Sequence, residues 1–189
     1  EVSWFKPHLD ISLQMIANAA LPKSAALIDV GGGDSTLIAD LLQTGYTNIT
    51  VLDISTVALE KSKTQLGHRA NGVTWLEADI THIALPRNSY ELWHDRAAFH
   101  FLTDSESRDA YIDSCRNALK PGGTLVIATF AQDGPEKCSG LPTMRYSPDD
   151  LSRQFGHSFQ LLETKSDLHT TPAARIQNFI YCRFIKRLG

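Results

Sequence analysis

Short apolar runs alternate with segments of helical periodicity along the chain as far as residue 130. The first helical pattern repeats apolar residues at positions 9, 13, 16 and 20 and ends before Pro22. Strands that alternate with helices predict right-handed crossovers and a mostly parallel sheet covered on both faces. The apolar runs that predict these strands are AALIDV (25–30), NITVLDI (48–54), GVTWLEADI (72–80), YELWHD (90–95) and TLVIATF (124–130).

Capping residues mark where several of the intervening helices begin. The segment STVALEKSKTQLG (55–67) starts with an N-cap serine and closes with a glycine, as helices commonly do. Thr103 and Glu106 are spaced as a capping box before the next long helical pattern. A shorter helix is predicted from Ser147, with Pro148 at its first position.

The last two apolar runs, SFQLLETKSDL (158–168) and NFIYCRFIKR (178–187), follow each other without a helical pattern between them. Consecutive strands without a crossover helix pair antiparallel, so we expect a hairpin at one edge of the sheet. The predicted fold class is α/β: a doubly wound, Rossmann-like, mostly parallel seven-stranded sheet with an antiparallel C-terminal strand. Residues 1–189 are interpreted as a single domain, because this length fits one hydrophobic core.

Composition argues against several classes of partner. The formal net charge is −3 and the basic residues are scattered, which is not the pattern of a nucleic acid-binding protein. No apolar run approaches the roughly 20 residues of a membrane span and no signal segment opens the sequence, so we expect no membrane partner and a cytoplasmic location. Cys115, Cys138 and Cys182 are far apart and form no CxxC pair, which argues against disulfides and a metal site.

Three consecutive glycines follow the first predicted strand in the stretch LIDVGGGDSTL (27–37). In a doubly wound sheet, ligands bind beyond the carboxyl ends of the strands, where this loop lies. Asp53 ends the second strand 20 residues after Gly33, where an acidic side chain can accept from both hydroxyls of a ribose. This combination predicts an adenosine-type cofactor. The alternative is that the glycines form a tight turn and Asp53 caps the next helix.

The spacing of the glycines distinguishes between two such cofactors. A dinucleotide fingerprint reads G-x-G-x-x-G, and Thr36 stands where its third glycine should be, which weakens the NAD interpretation. Over nearly its whole length, the sequence resembles the class I S-adenosylmethionine-dependent methyltransferases, whose antiparallel final strand it also shares. The motifs that carry this resemblance are DVGGGDS (29–35), LDIS (52–55), EADI (77–80) and ALKPGGTLVIATF (118–130).

The resemblance implies S-adenosylmethionine as cofactor and assigns residues to its parts. Asp29 and the glycine main chain would face the methionine part, Asp53 would bind the ribose, and Ile54 would lie against adenine. Asp79 would accept from the adenine amino group, and the backbone N–H of Ile80 would donate to the ring. The full predicted cofactor-binding set is Asp29, Gly31, Gly32, Gly33, Asp53, Ile54, Asp79, Ile80, His94 and Trp4.

The segment LWHDRAAFHFL (92–102) runs from the fourth strand into the turn after it, where this family places residues at the reacting centre. It resembles the W-D-R segment of thiopurine-type and related thiol methyltransferases, and also members that methylate protein lysines. His100, Asp95 and Arg96 are therefore the candidate catalytic residues. Each has a structural alternative: an ion pair between Asp95 and Arg96, or a packing role for His100. A base is needed only if the acceptor arrives protonated, because the sulfonium methyl is already activated.

Residues 1–21 contain the first helix and the aromatic stretch SWFKPH (3–8), which related enzymes use as a lid. Trp4 and Phe5 would either cover the cofactor or pack against that helix.

Residues 131–147 are rich in Gly and Pro and follow the fifth strand, so we interpret them as an active-site loop. Cys138 would touch substrate or be incidental there. Arg145 and Tyr146 would either bind the acceptor or anchor the loop.

These features together predict a methyltransferase that transfers the methyl group of S-adenosylmethionine to a small-molecule acceptor. A protein lysine methyltransferase is the nearest alternative, so a protein substrate stays open. A non-catalytic S-adenosylmethionine-binding module is a third alternative, which the polar run His94, Asp95, Arg96 argues against.

Overall fold

The computed structural model describes residues 6–171 and 176–188. The strands are β1 Ala26–Val30, β2 Asn48–Asp53, β3 Val73–Glu77, β4 Tyr90–Arg96, β5 Leu119–Phe130, β6 Lys137–Cys138, β7 Leu141–Pro142, β8 Phe159–Thr170 and β9 Ile176–Lys186. The helices are α1 Asp10–Asn18, α2 Leu37–Gln43, α3 Thr56–Leu66, α4 Ser105–Ala118 and α5 Pro148–Phe155.

Seven strands form the main sheet, in the order β3-β2-β1-β4-β5-β9-β8. Strands β1 to β5 pair in parallel, whereas β9 is antiparallel to both β5 and β8. The strand order reverses between β1 and β4, which places the switch point where ligands bind in such folds. The predicted doubly wound fold with an antiparallel C-terminal hairpin is confirmed, and β8 is its edge strand.

Alternation of side chains along the strands divides the core into two clusters, one on each face of the sheet. Leu27 of β1 belongs to the cluster that packs against α1, α2 and α3. Ile28, the next residue, belongs to the cluster that packs against α4 and α5. Both side chains are at most 2% exposed, so β1 is buried on both faces, as a central parallel strand must be.

Most predicted elements are confirmed, and several of their boundaries are shifted. Ser55 caps α3, and Ser147 forms a capping box with Asp150 at the start of α5. The predicted Thr103 cap is wrong, because the Asp104 carboxylate accepts from the backbone N–H of Ser107 and α4 starts one residue later. β5 begins before its PGG turn, where its register against β4 shifts. Among the described helices, none has the length and apolar character required to cross a bilayer.

Candidate active site

The carboxyl ends of β1, β2 and β4 open onto a cavity of about 480 Å³. Eight of the ten residues predicted to bind cofactor line this cavity: Asp29, Gly31, Gly32, Asp53, Ile54, Asp79, Ile80 and His94. Gly33 does not line the cavity but contacts Asp53, which does. Trp4 lies outside the described residues. The parallel strands thus bring together side chains that are up to 65 residues apart in sequence, such as Asp29 and His94.

At each of the three consecutive glycines, a different close neighbour leaves no room for a side chain. Gly31 has φ of +72° and donates its N–H to the carbonyl of Leu52, and a Cβ there would meet Cβ of Ala98 at 2.7 Å. A Cβ at Gly32 would overlap the carboxylate of Asp29, and one at Gly33 would meet the carboxylate of Asp53 at 2.7 Å. The glycines therefore allow the backbone to lie directly on the two acidic side chains of the site.

The Asp53 carboxylate holds the glycine loop and the start of α3 together. Its Oδ2 accepts from the N–H of Gly33 at 2.9 Å, and its Oδ1 accepts from the N–H of Ser55 at 2.8 Å. The predicted alternative, in which Asp53 caps the next helix, thus agrees with its hydrogen bond to Ser55 at the start of α3. Because each carboxylate oxygen has two acceptor positions, Asp53 still has the capacity to bind a ligand from the cavity.

Asp29 is connected to α1 through a buried histidine. Nδ1 of His94 lies 2.6 Å from Oδ1 of Asp29, and Nε2 lies 2.8 Å from Oγ of Ser12. All three residues are at most 3% exposed. The second oxygen, Oδ2 of Asp29, is buried and lacks a hydrogen-bond partner within the described part of the chain. A buried carboxylate oxygen without a donor is costly, so a donor from a bound ligand would fit here.

At the far end of the cavity, the loop after β3 presents Asp79 and Ile80. Asp79 accepts from the backbone N–H of Thr81 at 2.8 Å and from its hydroxyl at 2.7 Å, and the Thr81 hydroxyl is the main cause that lowers the pKa of Asp79. This carboxylate is therefore ionised at neutral pH. Ile54 lies on the same cavity and is 71% exposed.

Alternation along β4 separates the candidate catalytic residues. Arg96 lines the cavity and donates from Nε to the Tyr181 hydroxyl at 2.9 Å. Asp95 points to the opposite face, where it accepts from the Tyr111 hydroxyl at 2.6 Å and from the backbone N–H of Phe99 at 3.0 Å. The ion pair considered between Asp95 and Arg96 is wrong, because these two described side chains lie on opposite faces.

Asp95 affects the shape of the cavity wall although its side chain lies on the opposite face of the sheet. It also accepts from the N–H of Ala98 at 2.8 Å, and so fixes a turn in which Ala97 adopts φ of +71°. Complete burial raises the pKa of Asp95 to about 6, despite the hydrogen bond from Tyr111 that lowers it. Ala97 and Ala98 line the cavity, so Asp95 acts on the site through the backbone.

His100 is a buried packing histidine that does not line the cavity. Its ring lies between the rings of Phe101 and Phe130, with centroids 4.7 and 4.5 Å away, and Nδ1 accepts from the N–H of Phe130 at 3.3 Å. Burial and, secondarily, the nearby Arg96 cation lower the pKa of His100 to about 3. The predicted catalytic contact of His100 or Asp95 with an acceptor thus has no support from their positions.

The loop 131–147 reaches the cavity at Cys138 and Leu141. Arg145 instead pairs with Glu136 within the loop at 3.2 Å. Tyr146 is buried, and its backbone N–H donates to the carbonyl of Phe130 at 2.9 Å. The two anchoring alternatives for Arg145 and Tyr146 therefore agree with the structure, and the loop contacts the cavity through its β6–β7 turn.

Sequence reasoning missed Lys6, Leu9 and Ser12 near the site. Lys6 and Leu9 line the cavity, and the carbonyl of Lys6 accepts from the hydroxyl of Thr36 at 3.0 Å. Ser12 offered a signal, since it is a polar residue three positions after Leu9 on the predicted apolar face of α1. Such a residue on a buried face needs a hydrogen-bond partner, which here is His94.

Comparison with known proteins agrees with this geometry. Residues 28–127, more than half of the chain, match the family described as the methyltransferase domain. The mouse (Mus musculus) eEF1A lysine and N-terminal methyltransferase is 26% identical over 135 residues, which are 68% of this chain and 19% of that protein. Human (Homo sapiens) EEF1A lysine methyltransferase 2 is 20% identical over 167 residues, which are 85% of this chain and 65% of that protein. The chain thus spans less than two thirds of either relative.

Solved structures show the same fold at low sequence identity. The Burkholderia thailandensis 1,6-didemethyltoxoflavin-N1-methyltransferase, solved with 1,6-didemethyltoxoflavin and S-adenosylhomocysteine, superposes with a TM-score of 0.75 at 16% identity. The match covers 95% of this chain and 78% of that one. The family match, the strand order and the cavity at the switch point agree with one another. The chain therefore belongs to the methyltransferase domain family.

Proposed function

We propose that this domain transfers the methyl group of S-adenosylmethionine to a small-molecule acceptor. The observation that carries the proposal is one cavity of about 480 Å³ that contains both the cofactor-type residues and an apolar wall. This volume lies in the range of ordinary small-molecule sites. The apolar wall consists of Leu9, Ala97, Ala98, Phe101, Leu102 and Leu141.

The polar residues of the cavity fit the parts of the cofactor. In this proposal Asp53, at the end of β2, would accept from the ribose hydroxyls, and Oδ2 of Asp29 would accept from the ammonium of the methionine part. The exposed side chain of Ile54 would pack on the adenine ring, beside Asp79 and Ile80, which would bind its polar edge. This fit rests on the orphaned oxygen of Asp29 and on the closeness of the glycine loop to both carboxylates.

For methyl transfer, this chain mainly has to align the acceptor with the methyl group and exclude water. S-adenosylmethionine supplies an activated methyl group on a sulfonium, so the acceptor needs a base only if it arrives protonated. Arg96 and the apolar wall would hold the acceptor in line with the methyl group. Asp95 would keep the Ala97–Ala98 turn in place, and His100 would support the wall from behind. In this proposal they are positioning residues.

A protein lysine acceptor is the second candidate, and it is supported by the two relatives named as eEF1A lysine methyltransferases. The apolar wall beside the cofactor-type residues favours a small molecule instead. The two candidates predict different destinations for the methyl group, so one labelling experiment separates them.

The test supplies S-adenosylmethionine with a tritiated methyl group, together with a cell extract divided into small-molecule and protein fractions. We expect label in the small-molecule fraction, and loss of that label with Asp53→Ala, which lacks the ribose acceptor. Label in the protein fraction would support the lysine alternative. Cofactor binding without transfer to either fraction would indicate a non-catalytic module.

A further inference from the structure

We infer that Ser12, His94 and Asp29 form a hydrogen-bond relay by which α1 aims Asp29 at the amino-acid end of the cofactor. The inference rests on the proposed function, because it takes S-adenosylmethionine as the ligand of this cavity. It assigns Ser12 and His94 as positioning residues, which act on the ligand through the Asp29 carboxylate. The contacts involved are the 2.8 Å and 2.6 Å separations on either side of the imidazole.

The direction of the relay follows from the chemistry of the three groups if Asp29 is ionised and His94 is neutral. An ionised carboxylate only accepts, so Nδ1 of His94 carries the proton that it donates to Oδ1 of Asp29. In the neutral imidazole, Nε2 is then an acceptor, and the hydroxyl of Ser12 donates to it. One oxygen of Asp29 is thereby occupied and held in place. The other oxygen, Oδ2, is left for a donor from the ligand.

The arrangement has the composition of a hydrolase triad, but the serine is in the wrong place for that chemistry. A nucleophilic serine must reach a substrate. Ser12 is 0% exposed and is not part of the cavity wall, whereas Asp29 and His94 both line it. The end of the relay that faces the cavity is thus the carboxylate, and its task is to accept from a ligand.

Helix α1 is anchored to the sheet at two positions that follow Ser12. The side-chain amide of Gln14 pairs with Lys165, and the amide of Asn18 donates to the carboxylate of Glu163 at 3.0 and 3.1 Å. Both partners belong to β8, the edge strand. The relay therefore connects a helix anchored on the sheet edge to the loop after β1.

A relay of this kind predicts a selective loss of affinity when it is broken. Two probes share the adenosine part, but only one has the amino-acid end: S-adenosylhomocysteine has it, and 5′-methylthioadenosine lacks it. Breaking the relay should weaken the binding of S-adenosylhomocysteine and leave the binding of 5′-methylthioadenosine unchanged. Mere damage to the fold would weaken both.

The experiment is calorimetric titration of both probes into the wild-type chain and four variants. His94→Leu removes both hydrogen bonds, whereas His94→Asn keeps a donor near the place of Nδ1. Ser12→Ala removes only the support from α1. Ser114→Ala is the serine control at the adenine end, where this partly buried hydroxyl donates to the carbonyl of Ile80 at 3.2 Å. Thermal unfolding of each sample establishes that the variant is folded.

We expect His94→Leu to lower the affinity for S-adenosylhomocysteine about 10-fold or more and the affinity for methylthioadenosine less than about 2-fold. His94→Asn should restore most of the affinity, Ser12→Ala should cause a smaller selective loss, and Ser114→Ala should change both probes by the same factor. Equal changes for both probes in His94→Leu, or no rescue by His94→Asn, would overturn the relay. If the wild-type chain bound neither probe, the cofactor assignment itself would fail and the relay with it.

Discussion

The backbone N–H of Gly33 donates to Oδ2 of Asp53 at 2.9 Å, so the acid at the end of β2 and the loop after β1 form one unit. A Cβ at position 33 would meet the same carboxylate at 2.7 Å. The pair places a negative charge and a flexible backbone side by side at the switch point of the sheet. The local structure depends on this carboxylate, and in the proposed function cofactor binding depends on it as well.

Asp53→Ala should weaken binding of S-adenosylhomocysteine by about 1.5 to 3 kcal/mol, because two ribose hydroxyls lose their charged acceptor. It should also lower the melting temperature, since the N–H groups of Gly33 and Ser55 lose their partner. Calorimetry and thermal unfolding on one sample measure both effects. Binding equal to that of the wild-type chain would show that Asp53 has only the structural role.

Asp79→Ala should cost less affinity than Asp53→Ala. The Asp79 side chain is 39% exposed and already accepts from Thr81, so its ligand contact competes with water and with a neighbour. The same titration with S-adenosylhomocysteine gives the comparison. A larger loss for Asp79→Ala would mean that the adenine contact dominates recognition.

Gly32→Ala should abolish tight cofactor binding and destabilise the protein, because the new methyl group would overlap the Asp29 carboxylate. Gly72→Ala is the matched control, since a Cβ there meets nothing within 4 Å. The control should change the free energy of unfolding by no more than about 0.5 kcal/mol. Urea unfolding and calorimetry of both variants test this, and similar behaviour of the two would contradict the close contact at Gly32.

Asp95 should make the wild-type chain less stable as pH rises from about 4 to 6. Burial raises the pKa of this carboxyl from 3.8 to about 6, so in that window the native state binds more protons than the unfolded state. Asp95→Asn lacks this titration. The stability advantage of the wild-type chain over Asp95→Asn should thus shrink by up to about 3 kcal/mol across the window. An advantage that grows with pH would show an Asp95 carboxylate stabilised in its ionised form.

His100 should have the opposite dependence. Burial lowers its pKa from 6.5 to about 3, so between these values the unfolded state binds more protons and stability is lost on acidification. His100→Gln should be less stable than the wild-type chain at pH 7, with that difference shrinking towards pH 4. The affinity of His100→Gln for S-adenosylhomocysteine should equal that of the wild-type chain. If turnover per folded molecule fell about 100-fold, His100 would return to the catalytic residues.

The hydrophobic pattern predicted the strands and their order of appearance well, because buried parallel strands are continuous apolar runs. It also located the loop after β1 and the acid at the end of β2. The cap of α4 was misplaced by one residue, since Thr103 and Asp104 are both good caps and only tertiary packing selects Asp104.

The acceptor side was harder to predict, because it depends on which face each side chain takes. Alternation along β4 sends His94 and Arg96 to the cavity and Asp95 to the other face, a distinction that period-two reasoning could have drawn. The burial of His100 between Phe101 and Phe130 joins β5 to the turn after β4, and no local pattern encodes that contact. The role of Ser12 likewise depends on where α1 packs.

The most direct test of the cofactor site is calorimetric titration of the wild-type chain with S-adenosylhomocysteine and, separately, with NAD. Thr36 stands where a dinucleotide loop needs its third glycine, and its hydroxyl instead donates to the carbonyl of Lys6 at 3.0 Å. We expect one equivalent of S-adenosylhomocysteine to bind and NAD to bind far more weakly or not at all. Tighter binding of NAD, or no binding of S-adenosylhomocysteine, would contradict the account.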